Sequence, residues 1–346
     1  MKIAVVGIGR IGALHARHTA ELNALAAVVD TNFERARTQA ASLSQIQGEP
    51  VQAFASVEDL AESGICKASF IATPTDCHHQ TAAALVAAGH RVLLEKPLTG
   101  SLAADREFAK HLDEHHPHAL MLAFNRRFDA PLQYAKRLMD EGAIGRVFKI
   151  VSALEDSNPA PNGYVSEGIL ADMSIHNVDE ILWFAGEMPT SAAAIGNCLY
   201  SRKLSTAVED FDDAFLYMWF KGEMSAQVMV SRNHVSGYRV ETWIFGEKGQ
   251  IHIGRFEQDR FEVVVEAYGR SAAIERKVFG MRDYGPGVPE FMDRFGPAYK
   301  AELQDFIARC ESGEPFTVTH RDGLRAMEVI DAGMRGSVQP GEVQPA

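Results

Sequence analysis

The chain has 346 residues, about twice the usual single-domain length of ~150, so two globular bodies with sizeable cores are expected and small disulfide-dependent scaffolds are excluded. Hydrophobic residues make up 46% and charged residues 23%, while 28 glycines and 14 prolines are too scattered for a collagenous or disordered chain. The net charge of −12 repels a phosphate backbone and argues against nucleic acid as the main partner.

In chain order, residues 1–122 alternate β-branched runs with amphipathic stretches: strands over 2–6, 26–30, 68–72, 90–94 and 119–123, helices over 11–22, 33–44, 80–88 and 102–115. This order writes an α/β fold, a doubly wound parallel sheet that takes ligands beyond the carboxyl ends of its strands. Residues 123–346 read as a second, α+β domain. It opens with a helix to about 141, a strand over 147–153 and a helix over 170–185. Strands follow over 211–220, 226–231, 239–245, 250–253 and 261–267, with tight turns at Lys221-Gly222 and Glu247-Lys248-Gly249 that suit a large antiparallel sheet. Helices over 299–310 and 321–334 precede a Gly/Pro-containing tail.

No run reaches the roughly 20 apolar residues of a membrane-spanning helix, and the opening MKIAVVGIG is no secretory signal, so no membrane partner and a cytoplasmic location are expected. Cys66, Cys77, Cys198 and Cys310 lie far apart without a CxxC spacing and read as free thiols. His111, His115, His116 and His118 cluster at a helix end interrupted by Pro117, and no metal is expected there. The aromatic run from Phe215 to Phe220 reads as sheet core or interface.

Gly7-Ile8-Gly9-Arg10-Ile11-Gly12 follows an apolar strand and opens a helix, the context in which GxGxxG signals a dinucleotide. Glycines there permit the turn and a close approach to a pyrophosphate, and the helix N-terminus offers N–H groups to it. Asp30 stands 18 residues beyond Gly12, at the end of the next strand, where a carboxylate accepts bonds from a ribose and repels the extra 2′-phosphate of NADP. NAD is therefore the expected cofactor. Arg35 and Arg37 would soften that exclusion by swinging over the ribose; otherwise they are solvated residues of the next helix.

Two further turns face the same crevice. Thr73-Pro74 ends the third clear strand and would wall the cofactor, and Glu95-Lys96-Pro97 ends the next, with Pro97 stopping the ladder and holding Lys96 at the rim. A cation there can polarise a substrate oxygen; a solvated strand-end lysine is the plain alternative. Farther on, Asp172 and His176 lie four apart on one helix face, continued by Asp179 and Trp183, while Ile175, Val178 and Leu182 turn to the core. A carboxylate one turn from an imidazole can orient it for general acid–base work. The same spacing also occurs in ordinary surface pairs.

Together the Gly7 to Gly12 loop, Asp30, Thr73-Pro74, Glu95-Lys96-Pro97, Phe124-Asn125-Arg126-Arg127-Phe128-Asp129 and the Asp172 to His176 spacing resemble the glucose-fructose oxidoreductase and inositol dehydrogenase family (Gfo/Idh/MocA). The resemblance covers nearly the whole chain, including Phe295 to Arg309, and is nearest to the inositol 2-dehydrogenase branch. It implies a Rossmann domain with NAD, and an α+β domain whose open sheet serves a homodimer or homotetramer. It implies that Lys96, Asp172 and His176 contact the reacting hydroxyl, and that Arg126 touches the substrate or shapes its pocket, or else forms a hinge salt bridge. One departure stands out: Glu155 occupies a position where the family pattern places Arg, within Leu154-Glu155-Asp156-Ser157-Asn158-Pro159. Asp156 and Asn158 are candidate hydroxyl ligands or simple loop caps.

The reaction expected from this resemblance is reversible oxidation of a secondary hydroxyl of a cyclitol or sugar. His176 takes the proton, Lys96 stabilises the oxygen, and Asp172 orients His176 or binds the neighbouring hydroxyl. A sugar or sugar-acid dehydrogenase, a keto-sugar reductase, a redox-assisted glycosidase and an NAD-binding sensor are the alternatives.

Overall fold

The computed structural model describes residues 1–156, 168–198, 211–234, 237–254, 261–285 and 288–337. The chain divides into two compact units, Met1–Asn125 with Ala298–Leu324, and Arg126–Pro297 with Arg325–Ala346.

The first unit alternates β1 (Ile3–Val6), α1 (Arg10–Glu21), β2 (Leu25–Val29), α2 (Phe33–Gln47), β3 (Gln52–Phe54), α3 (Val57–Ser63), β4 (Ala68–Ile71), α4 (Thr75–Ala87), β5 (Arg91–Glu95), α5 (Leu102–His115) and β6 (Leu120–Ala123). Its strands form a parallel sheet in the order β3-β2-β1-β4-β5-β6. β1, β2, β4 and β6 are buried at every position, as strands covered on both faces must be. Strand order reverses between β1 and β4, so the turns that leave these two strands flank the ligand crevice of a doubly wound sheet.

Two elements escape the sequence pattern. β3 is three residues long with Gln52 exposed, and α3 is seven residues long, so neither shows a period. Helix α4 begins at Thr75 rather than at 80, because Pro74 serves at its N-cap without cost and Asp76 favours its first turn.

Residues 298–324 pack with the first unit, where the sequence pattern assigned everything beyond 122 to a second domain. The ring of Tyr299 meets His15 edge-on, Lys300 pairs with Glu21 at 3.2 Å, Arg91 donates to the carbonyls of Arg309 and Glu314, and His320 pairs with Asp113 at 2.8 Å. These residues belong to two long helices, α8 (Glu290–Ser312) and α9 (His320–Arg335), and the unit boundaries fall inside both.

The second unit holds α6 (Ala130–Asp140), β7 (Val147–Glu155), α7 (Ile175–Ala185), β8 (Ser191–Asn197), β9 (Asp213–Trp219), β10 (Ser225–Ser231), β11 (Arg239–Gly246), β12 (Gly249–Ile253), β13 (Glu262–Gly269) and β14 (Ala273–Gly280). Its sheet runs β14-β13-β12-β11-β7-β10-β9-β8. The sheet is mixed rather than wholly antiparallel: β7 and β10 pair in parallel, because the long segment with α7, β8 and β9 supplies the crossover. β8, rich in alanine, and β14, exposed along almost all its length, carry too little apolar alternation to be read from sequence. One face packs on α6 and α7. On the other, Phe215 and Tyr217 are 39% exposed and Trp219 is 46% exposed, and the register sets Met229, Val151 and Trp243 on the same side.

Candidate active site

Gly7, Ile8 and Gly9 make up the whole turn between β1 and α1. Gly7 has φ +84°, and a Cβ on it would lie 2.8 Å from the carbonyl oxygen of Ala72, so the turns after β1 and β4 run in contact. A Cβ on Gly12 would lie 1.7 Å from the carbonyl oxygen of Gly7. Gly9 differs: a Cβ there meets nothing within 4 Å, and it supplies no side-chain cap to α1. Space and backbone donors therefore coincide at the helix N-terminus that Arg10 and Ile11 open, as a diphosphate requires.

Asp30 follows β2 and is 4% exposed. Its Oδ2 accepts the N–H of Ile8 at 2.9 Å and its Oδ1 that of Asn32 at 2.8 Å, while Arg35 forks onto both oxygens at 3.0 and 2.7 Å. Burial alone would raise this carboxyl, but Arg35 and the two backbone donors hold it below the usual carboxylate range. Arg37 instead pairs with Glu34 at 2.6 Å. Across the crevice, Thr73 Oγ1 is buried without a hydrogen-bond partner among the described residues, beside Pro74. The open Gly9, the acid after β2 and this orphaned hydroxyl fit an adenine dinucleotide.

Lys96 follows β5 and is half-buried. Its N–H donates to Glu95 Oε2 at 3.2 Å, and Glu95 Oε1 lies 3.5 Å from Nε2 of the buried His15. Glu95 thus braces the turn from within. On the far side, the Pro97 carbonyl lies 2.7 Å from Nδ1 of His78.

In the second unit Asp172 does not begin an ordinary α-helix. Leu170–Ser174 form one wide π-helical turn, a feature enriched at functional sites, and α7 starts at Ile175 with His176 in its first turn. Arg232, just past β10, donates from Nη2 to Asp172 Oδ2 at 3.1 Å. The face of Asp172 and His176 does not continue through Asp179, which is buried and held by Arg127 Nε at 2.9 Å. Ile175, Val178 and Leu182 are buried, as their spacing requires.

Arg126 is 2% exposed and donates from Nη1 to Glu180 Oε2 at 2.6 Å, which is the salt-bridge alternative raised by the sequence, formed here within one unit. Ser152, at 3.1 Å, and Thr242 also donate to Glu180, whereas Nη2 of Arg126 is a buried donor without a hydrogen-bond partner among the described residues. Asp156 is half-buried; its N–H donates to the Ser231 carbonyl at 2.9 Å and its carbonyl accepts the N–H of His234 at 3.1 Å. Asn158 lies outside the described residues. Glu155, the departure from the family pattern, is countered by Arg239 at 2.8 Å.

Sequence reasoning missed Arg232, His15 and His78. Arg232 meets Asp172 from 60 residues away and leaves no local trace. His78 left one: with Ala82 and Leu85 it forms the buried i, i+4, i+7 stripe of α4.

Among the described residues no group of three or more His, Cys, Asp or Glu is placed to hold a metal, and no helix is long and apolar enough to cross a membrane.

Residues 1–124 match the oxidoreductase family with an NAD-binding Rossmann fold, and residues 132–252 match the GFO/IDH/MocA C-terminal domain. The myo-inositol 2-dehydrogenase of Thermotoga maritima is 30% identical over 94% of this chain and 93% of its own length. The inositol 2-dehydrogenase of Rhodococcus jostii is 31% identical over 99% and 91%. A crystal structure of scyllo-inositol dehydrogenase from Lactobacillus casei, with bound NAD(H) and scyllo-inositol, superposes with a TM-score of 0.76 at 26% identity, covering 97% of this chain and 96% of that one. On this glycine loop, this acid after β2 and these likenesses in both halves, the chain belongs to the GFO/IDH/MocA oxidoreductase family and is an NAD-dependent oxidoreductase acting on a CH–OH group.

Proposed function

We propose that the chain is an inositol 2-dehydrogenase-like enzyme that reversibly oxidises one secondary hydroxyl of a cyclitol to the ketone. The observation that carries this reading is the Asp172–His176 pair on adjoining helical turns, in a chain 30–31% identical to two inositol 2-dehydrogenases over nearly its full length. NAD, when bound, supplies the acceptor for the carbinol hydride. His176 takes the hydroxyl proton, since an alcohol is too weak an acid to lose it unaided. The Lys96 ammonium stabilises the oxygen as charge develops on it. Asp172, paired with Arg232, orients His176 or accepts a neighbouring hydroxyl.

The Gly7 to Gly12 loop, with Ile8, Arg10 and Ile11, holds the diphosphate; Asp30 reads the adenosine ribose; Thr73, Pro74 and Glu95 line the cofactor wall. Asp156 and Asn158 bind further hydroxyls, and Arg126 shapes the pocket through Glu180. Sites of this kind discriminate well, because a missing hydroxyl leaves buried polar groups unpaired. Phe215, Tyr217 and Trp219 lie on the uncovered face of the sheet, which supports assembly as a homodimer or homotetramer through that face.

The test is initial rates of NADH formation at pH about 9, where proton release favours oxidation, with myo-inositol, scyllo-inositol, glucose, galactose and sugar acids, each with NAD and NADP. Turnover of a cyclitol with NAD is expected, and His176→Ala should lower it by roughly 10²-fold. Turnover confined to a sugar or sugar acid would move the substrate assignment, and a His176→Ala rate within a few-fold of wild type would remove the base.

A further inference from the structure

The turn that carries Lys96 is gripped from behind by a residue the proposed mechanism leaves unused. His78 lies in the first turns of α4 and is fully buried. Its Nδ1 is 2.7 Å from the carbonyl oxygen of Pro97, and its Nε2 is 3.1 Å from the carbonyl oxygen of Thr73. These carbonyls belong to the two turns that leave β5 and β4, one presenting the lysine and the other walling the cofactor. Imidazole is a rigid ring with a polar nitrogen on each side, and here it fills the space between two backbone carbonyls, both acceptors, of which a neutral ring can donate to one. A neutral ring carries one N–H, and the shorter contact assigns it to Nδ1, donating to Pro97. Lys96 is then fixed at both flanks: its own N–H is held by Glu95, and the next carbonyl is held by His78.

We propose that His78 is a positioning residue for the dehydrogenase reaction, holding the turn that carries the Lys96 ammonium from its packed place beside the Thr73 turn on the cofactor side. This inference rests on the reading of Lys96 as a catalytic residue. Its physical content is that a displacement of about 1 Å at the charged group costs up to about 10²-fold in rate, while substrate hydroxyl contacts made elsewhere are left alone.

The experiment compares His78→Phe, which fills the space without a donor, with His78→Gln, which keeps one N–H for the Pro97 carbonyl. Cyclitol kinetics, NADH binding by fluorescence titration and melting temperature are recorded for both. In His78→Phe, kcat should fall by roughly 10–100-fold with the cyclitol KM within about threefold of wild type. NADH binding should weaken less than the rate does, and His78→Gln should recover at least half of the lost rate on a logarithmic scale. A His78→Phe kcat within twofold of wild type would overturn the proposal, and so would a loss that Gln does not restore. Should His78→Phe not fold, long-range 1H–15N spectra of the wild-type protein decide: a proton on Nδ1 supports the assignment, and one on Nε2 alone overturns it. Lys96→Met keeps the two readings apart. Full turnover in Lys96→Met removes the underlying mechanism, whereas an inactive Lys96→Met beside unaffected His78 variants removes this inference alone.

Discussion

The two units place their functional groups by opposite means. In the first, the cofactor crevice is backbone: Gly7 and Gly12 allow main-chain segments to touch, Gly9 leaves the helix N-terminus open, and carbonyls of Thr73 and Pro97 meet one buried imidazole. In the second, the turn leading into α6 is tied to α7 and α8 by ion pairs between residues 52 to 165 apart in sequence, the buried Arg126–Glu180 and Arg294–Asp129 and the part-buried Arg127–Asp179. Where main chain meets main chain, as at Gly7 and Gly12, no added atom is tolerated, and charge architecture tolerates no missing partner. The first unit should therefore be fragile to small insertions of volume and the second to deletions of charge.

The largest expected effect tests the second half of that contrast. Glu180→Ala leaves Arg126 as a buried unpaired cation and takes the acceptor from Ser152 and Thr242. Removing one partner of a buried pair costs about 3–5 kcal/mol, a large share of a typical domain's stability. Denaturant unfolding should show that loss, with Glu180→Gln intermediate because it keeps the hydroxyl contacts. Gly12→Ala tests the first half. Its Cβ would lie 1.7 Å from a main-chain oxygen, where no flexible side chain can yield. NADH binding should weaken by about 10–100-fold, as overpacking of 1–3 kcal/mol implies. Gly9→Ala, with nothing within 4 Å, should keep the wild-type melting temperature. A Gly12→Ala protein that binds NADH like wild type would break the comparison.

The same contrast explains what could be read from the sequence. The βαβ order of the first unit, its glycine loop and Asp30 are local signals, because the strained backbone of Gly7 is itself written as glycine. Membership in the family, the fold of both halves and the use of NAD were legible from these and from the spaced motifs of the second unit. Hidden from the sequence was whatever depends on distant partners. The Arg232 contact to Asp172, the docking of residues 298–324 on the first unit and the parallel pairing of β7 with β10 are each set by tertiary packing that no local period encodes. The start of α4 was misplaced for a local reason, since Thr73-Pro74-Thr75 reads equally as a loop and as a helix entry.

The first unit holds an exception that sharpens the comparison. Asp105 is fully buried on α5, accepts a hydrogen bond from Thr99 at 2.6 Å through Oδ1, and has no hydrogen-bond partner at Oδ2 among the described residues. Burial pushes its carboxyl up to about 6. A carboxyl raised above its unfolded value takes up a proton on folding. Its contribution is therefore most favourable below about pH 4, falls as pH rises to about 6, and stays low beyond. Asp105→Asn imitates the protonated form. At pH 8 it should stabilise the protein by about 3 kcal/mol, and at pH 4 by almost nothing, measured as paired unfolding curves. Stabilisation that is equal at both pH values would mean that this carboxyl does not titrate between them, and the exception would fall.

The smallest effect concerns the charge pair beside the glycine loop, Asp30–Arg35. Both oxygens of Asp30 are doubly engaged, each by one backbone N–H and one N–H of Arg35. An ionised carboxylate has about four acceptor positions, so in this state none is left for a ribose, and the carboxylate's repulsion of a 2′-phosphate is offset by the guanidinium beside it. Arg35→Gln removes the cation and frees acceptors on Asp30. NADPH should then bind about tenfold more weakly, some 1.4 kcal/mol, while NADH binds as well as in wild type or better, both read by fluorescence titration. Because Arg35 is exposed, the NADPH effect should shrink in high salt. If both cofactors respond equally, Arg35 leaves Asp30 when either one binds, and the discrimination belongs to the carboxylate alone.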